Sequence, residues 1–221
     1  MTNCDMKLRI NSIESFSTKD GEGVRSVVFL QGCNLRCDYC HNPETWDEQG
    51  GEEVSARDLA DKVLRFKDYW GGNGGVTVSG GEPLLQAKEL VGFLKILKNK
   101  GVNVALDTTG TIWNKDVREV ISLCDQIILD EKCKQAFLDE VGKQGKKVLI
   151  RIVIIPGVND TEEAVDEYAE KFKKHKVELV PFHTLGFDKY EKLGIANPLV
   201  GVKAMSIERV RELQGRVNQA L

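Results

Sequence analysis

Apolar positions along this chain alternate between short β-branched runs and longer stretches of helical spacing, with glycine or a polar turn between them. Arg25–Leu30 is the first dense apolar run, and it predicts a buried strand. Ser55, with Asp58 three residues on, predicts a capped helix start, and Leu59, Val63, Phe66 and Trp70 carry the helical face forward. Residues 76–78 predict the next strand, preceded by Gly71, Gly72, Gly74 and Gly75. Leu90, Leu94 and Leu97 then mark a helix that Gly101 ends. Strand 102–106 and the helical face of Val117, Val120, Ile121 and Cys124 follow, then strand 126–129 and a compact helix from about Gln135 to Lys143. Residues 148–155 read as a long buried strand. Asn159, Asp160 and Thr161 can cap a helix bearing Ala164, Tyr168 and Phe172, and residues 177–181 form the sixth strand. At the start, residues 6–15 suit a short strand or hairpin arm and 17–23 a polar turn. From Ser206 a last amphipathic helix carries Ile207, Val210, Leu213 and Val217.

Strands alternating with helices imply parallel βα units with right-handed crossovers. Six strands are too few for a closed eight-stranded barrel, so the expected fold is α/β with an open, strongly curved sheet. A chain of 221 residues suits one domain, 1–221, and no repeat or linker divides it. Folds of this class place their chemistry at the C-terminal ends of the strands. The conspicuous polar groups do fall there: the segment after residue 30, Ser79-Gly80-Gly81-Glu82, Asp107-Thr108, Asp130-Glu131-Lys132, and His183.

Composition narrows the partners. With 29% charged residues and a net charge of −3, the chain has no excess of Lys and Arg to mark a nucleic-acid surface. Residues 1–9 hold no apolar signal core and no stretch approaches a membrane-spanning length, so the expected location is cytoplasmic. Six cysteines in a cytosolic chain favour metal or redox chemistry over disulfides. Three of them, Cys33, Cys37 and Cys40, have C-x3-C-x2-C spacing on one loop. Closed structural zinc sites use four ligands, and thiolate-bound cubane clusters normally use four cysteines. Three would leave one iron of a four-iron cluster open to a small molecule. The alternatives are a zinc knuckle completed by His41, in a non-catalytic module, or plain reduced thiols. Cys4 and Cys124 read as structural or incidental. Cys133, close behind Lys132, also reads as incidental, though it stands beside candidate site residues.

The cysteine loop, with Tyr39 before its third cysteine, resembles the cluster-binding signature of radical S-adenosylmethionine (SAM) enzymes. The wider string from Asp20-Gly21-Glu22-Gly23-Val24-Arg25 through His41-Asn42 to Thr45-Trp46 is similar to the glycyl-radical-enzyme activases of the pyruvate formate-lyase type. That resemblance implies an open partial (β/α)6 barrel and a [4Fe-4S] cluster on Cys33, Cys37 and Cys40 whose fourth iron binds SAM. It implies a SAM site drawn from Tyr39, Cys40 and His41 on the loop, with Ser79, Gly80, Gly81 and Glu82 as the element that meets the methionine amino group. Lys132 would pair with the SAM carboxylate, and Asp130 and Glu131 beside it belong to the same cofactor-binding set. Arg151 would meet an anionic ligand group or a carboxylate of the barrel, as a structural ion pair would also explain, and His183 would lie toward the ribose or adenine. Asp107, Thr108 and Asp130 resemble a site for a monovalent cation, Na+ or K+. Asp20, Gly21 and Gly23 would meet the substrate protein.

The implied activity is one-electron reductive cleavage of SAM, with flavodoxin or ferredoxin as donor, and abstraction of a hydrogen atom from a glycine of pyruvate formate-lyase. Activation of another glycyl radical enzyme, anaerobic ribonucleotide reductase or a diol dehydratase, is the nearest alternative. An anaerobic setting follows from the same resemblance. The chain departs from the family in three places: a shorter segment between Asp130 and Arg151, Glu131 where an apolar residue is usual, and Glu22 where the family has proline.

Overall fold

The computed structural model describes residues 6–220, so Cys4 lies outside the described residues. The chain divides into two compact units. One comprises the chain up to Leu35 together with Glu44–Lys147; the other comprises Arg36–Pro43 and Val148–Leu221.

The first unit is built on β1 (Lys7–Ser17), β2 (Arg25–Leu30), β3 (Glu52–Ser55), β4 (Gly75–Gly80), β5 (Asn103–Thr108) and β6 (Gln126–Asp130), in the order β3-β1-β2-β4-β5-β6. Strands β2, β4, β5 and β6 run parallel, as the βα pattern predicts, while β1 lies antiparallel to both β2 and β3. Four helices belong to this unit: α1 (Ala56–Leu64), α2 (Ala87–Asn99), α3 (Lys115–Leu123) and α4 (Gln135–Lys143).

The register sorts the side chains by face. Val27 lies beside Thr77 and Thr77 beside Ala105, and Asp107 lies beside Ile128. Because side chains alternate along a strand, Arg25, Thr77, Ser79, Asn103, Asp107, Gln126 and Asp130 share one face. The opposite face carries Val28, Leu30, Val76, Val78, Val104, Leu106, Ile127 and Leu129, all fully buried. Helix α2 adds Leu90, Phe93, Leu94 and Leu97, also fully buried, each stabilising by about 1.5–3 kcal/mol. One face is thus apolar throughout these positions, while the other sets its polar groups among Val27, Ala105 and Ile128, which are also fully buried.

The second unit pairs β7 (Lys147–Ile154) in parallel with β8 (Lys176–Pro181), accompanied by α5 (Glu162–Lys171), α6 (Phe187–Leu193) and α7 (Ile207–Ala220). Thr161 caps α5 by accepting the Ala164 N–H, and Val210, Leu213 and Val217 of α7 are buried as the helical spacing predicts.

Three features differ from the sequence pattern. Helix α1 stops at Leu64, and Lys67–Tyr69 form a 3-10 turn that brings the Trp70 indole N–H to the Ser26 hydroxyl at 3.0 Å. A buried indole needs such an acceptor, and that need overrides the helical period. Strand β3 has a single buried residue, Val54, too little for an alternation to register. Helix α6 is short and half charged, and its end is set by Gly194 in the left-handed conformation.

Candidate cofactor site

Strand β2 leads directly into Gly32 and Cys33, and β4 runs beside it with Gly80 opposite Leu30. Their ends are locked main chain to main chain. Gly81 N–H donates to the Leu30 carbonyl at 3.0 Å, Glu82 N–H to the Gly32 carbonyl at 2.9 Å, and Gly32 N–H to the Thr45 carbonyl at 2.8 Å. A Cβ on Gly81 would stand 2.1 Å from the Gly32 carbonyl oxygen, and one on Gly80, whose φ is +120°, would stand 2.2 Å from the Leu30 nitrogen. The glycine pair is therefore demanded by the close approach of this turn to the chain entering the cysteine loop.

Glu82 is fully buried and its carboxylate is saturated from within the protein. It accepts from the Thr108 hydroxyl at 2.6 Å, from the Thr109 N–H at 2.9 Å, from the Thr109 hydroxyl, and from the Leu84 N–H at 3.0 Å. The side chain pins the end of β5 to the end of β4, so what the turn presents to a ligand is main chain. Beside it, the Ser79 hydroxyl donates to Asp107 at 2.9 Å.

The residues expected to hold a cation have protein partners. Asp107 and Thr108 are consecutive strand residues, so their side chains leave on opposite faces. Thr108 turns to Glu82, while Asp130 is held by the Lys132 ammonium at 2.5 Å, with Glu131 3.7 Å from the same nitrogen. Cys133 stands next to this charged turn, its N–H on the Asp130 carbonyl at 3.1 Å.

The segment from Asp20 to Gly23 lies at the other end of the strands. The Asp20 carbonyl accepts from the Thr77 hydroxyl, Glu22 N–H donates to Gln126 Oε1 at 3.3 Å, and the Glu22 carboxylate meets Lys147 at 3.0 Å. It covers the same polar face as Ser79 and Asp107, nearer the strand N-termini.

In the second unit the residues after the third cysteine are gripped by α6 and its approach. The buried Tyr190 hydroxyl donates to the Cys40 carbonyl at 3.0 Å, Lys189 donates to the Asn42 side-chain oxygen at 2.8 Å, and a Cβ on Gly186 would stand 3.0 Å from His41. His41 stacks on His183 with ring centroids 3.7 Å apart and planes 11° from parallel, and its Nε2 donates to the His183 carbonyl at 3.0 Å. Burial holds the His41 pKa below its ordinary value. Arg151 pairs with Glu178 directly across β7 and β8, Nε to Oε2 at 3.1 Å, which is the structural ion pair a half-buried guanidinium requires.

Sequence reasoning missed the grip of α6, because a seven-residue helix with four charged positions leaves no periodic signal. It also missed the network around Arg25, although a lone charge opening an apolar run was a visible sign. Cys124 is buried just past the end of α3, and burial pushes its thiol up to about 12, which makes it an inert packing residue.

Cys33, Cys37 and Cys40 are half-buried and not joined in disulfides. Among the described residues, no group of three or more His, Cys, Asp or Glu is arranged to hold a metal ion. The assignment of a cluster therefore rests on the three-thiol spacing, the soft donor set and the relatives.

Residues 19–147 match the family described as a 4Fe-4S single cluster domain. The pyruvate formate-lyase-activating enzyme of Clostridium pasteurianum is 42% identical over 234 positions, covering 96% of this chain and 98% of that one. That alignment is longer than this chain, in keeping with a missing segment. A solved domain of a pyruvate-formate lyase-activating enzyme from Bacteroides vulgatus superposes with a TM-score of 0.51 at 26% identity, over 66% of this chain and 94% of that one. A radical SAM methyltransferase from Sphaerobacter thermophilus shares the fold over 96% of this chain and 74% of its own, with a TM-score of 0.60 at 16% identity. By fold, by cysteine spacing and by identity along its length, the chain belongs to the pyruvate formate-lyase-activating enzyme family of radical SAM proteins.

Proposed function

We propose that this protein activates pyruvate formate-lyase by removing a hydrogen atom from one of its glycines, acting as a single radical SAM domain. The observation that carries the reading is the C-x3-C-x2-C loop leaving β2, whose entry at Leu30 and Gly32 is bonded main chain to main chain to the turn from Gly81 to Glu82. A [4Fe-4S] cluster and SAM, when bound, would supply the one-electron chemistry that removes the hydrogen atom. The residues of the chain supply binding and exclusion. Cys33, Cys37 and Cys40, as thiolates, are the cluster ligands. Main chain at Gly80 and Gly81 receives the methionine ammonium, while Glu82 keeps that main chain in place. Lys132 provides positive charge for the methionine carboxylate, and the ring platform of His41 and His183, with Tyr39, offers a flat surface to adenine. The turn at Asp20, Gly21 and Gly23 meets the partner's glycine loop.

Reduced flavodoxin or ferredoxin is the proposed electron donor, and the cytoplasm the proposed location. In keeping with the latter, no helix among the described residues is long and apolar enough to cross a membrane. The test is anaerobic incubation of the reconstituted protein with pyruvate formate-lyase, SAM and a reductant. A glycyl-radical EPR doublet is expected. SAM cleavage without that doublet would move the reading to another glycyl radical enzyme.

A further inference from the structure

Arg25 is the largest fully buried side chain among the described residues, and all five of its hydrogen bonds end on uncharged oxygens. Its Nε donates to the Thr77 hydroxyl oxygen at 2.7 Å, and Nη1 donates to the Glu22 carbonyl at 2.9 Å. Nη2 reaches the Val76 carbonyl at 2.9 Å and both the carbonyl and side-chain oxygens of Asn103, at 3.2 and 3.0 Å. Burial lowers its pKa to about 10, which leaves it charged at neutral pH.

Burying a guanidinium without a contacting carboxylate is costly, and a plain turn between two strands does not need one. What the arginine accomplishes is local. The Thr77 hydroxyl accepts from Arg25 and donates its own proton to the Asp20 carbonyl, so one relay ties β2, β4 and the turn together. Arg25 holds the same turn a second time at Glu22, and Gln126 holds it a third time from β6. Both glycines fit only in this seating. A Cβ on Gly21, at φ +121°, would lie 2.9 Å from Arg25 Cδ, and one on Gly23, at φ +75°, would lie 2.6 Å from the Gly74 nitrogen. The turn is thereby held rigid on the face that carries Ser79 and Asp107.

We propose that Arg25 and Thr77 are positioning residues that fix the turn from Asp20 to Gly23 as a preformed docking edge for the glycine-bearing segment of the partner enzyme. This rests on the reading that the turn meets that partner. Preorganised main chain lowers the cost of ordering an incoming extended peptide, so the effect should appear in partner recognition and not in SAM chemistry.

The experiment compares Thr77→Val, Thr77→Ser and Arg25→Lys holoproteins with the wild type. Valine keeps the shape and removes the hydroxyl, serine restores it, and lysine keeps the charge without the planar fork. Two rates are read: glycyl-radical formation as a function of pyruvate formate-lyase concentration, and SAM cleavage by dithionite-reduced protein without partner. Thr77→Val is expected to raise the half-saturating partner concentration by about 10-fold while partner-free cleavage stays within about twofold. Thr77→Ser should stay near wild type, and Arg25→Lys should shift in the direction of the valine variant. A Thr77→Val protein with wild-type half-saturation, or one whose partner-free cleavage falls in parallel, overturns the proposal. A wild-type protein that cleaves SAM yet forms no radical on this partner instead removes the reading beneath it, and that result is visible before any variant is made.

Discussion

Glu82 accepts four hydrogen bonds and offers none, so its charge is consumed by the donors of Thr108, Thr109 and Leu84. Glutamine in its place would turn one acceptor into a donor facing another donor, a loss of about 1–3 kcal/mol. Glu82→Gln should therefore lower the unfolding midpoint in urea with an unchanged slope. Cys37→Ala acts on chemistry instead: the purified protein should lose its brown colour and all SAM cleavage, and an active variant would refute the cluster assignment. His41 adds a pH dependence. Its pKa is lowered by burial, as is that of His175, so the folded protein binds fewer protons than the unfolded chain once pH drops toward 6.5. Stability is complete above about pH 6.5 and declines as pH falls through that value toward the lower folded pKa. The melting temperature should drop between about pH 7 and pH 5, and His41→Gln should flatten part of that slope.

At the scale of elements, helix α6 is the part that its sequence hides. Tyr190→Phe removes only the hydroxyl on the Cys40 carbonyl and should cost about 1 kcal/mol, read as faster loss of iron to a chelator than from wild type. The parallel strands were legible because each is a dense apolar run, α2 and α4 because helical period and a following glycine agreed, and α5 because the Thr161 cap agreed with the period. The Ser55 cap is where the pattern placed it, with the Asp58 N–H on its hydroxyl at 3.1 Å. Strand β3 and α6 were not legible, since both are short, polar and held by partners distant in sequence. The candidate site divides along the same line. Cysteine spacing and the Gly-Gly-Glu turn are written in contiguous residues and could be read directly. The commitment of Glu82 to β5, of Lys132 to Asp130 and of Arg151 to Glu178 depends on neighbours that only folding supplies.

For the whole molecule, the thiols should sort by environment. Cys124, buried and with a thiol pushed up to about 12, should resist alkylation until the protein unfolds. Cys33, Cys37 and Cys40 should react in apoprotein and be shielded once the cluster is assembled, a difference that mass spectrometry of labelled peptides would count directly. A ligand that binds only the folded chain stabilises it by mass action, so holoprotein should melt above apoprotein.

The division of the first sheet into an apolar side under helices and a polar side bearing Arg25, Thr77, Ser79, Asn103 and Asp107 also constrains how the protein can change. Substitutions at alternate strand positions fall under separate selection. Changes at odd-numbered sites such as 79 and 107 would act on ligand or partner preference, while changes at the even-numbered 76, 78 and 106 would act on packing. A lineage could thus retarget its radical to a new recipient with few mutations and without rebuilding its interior.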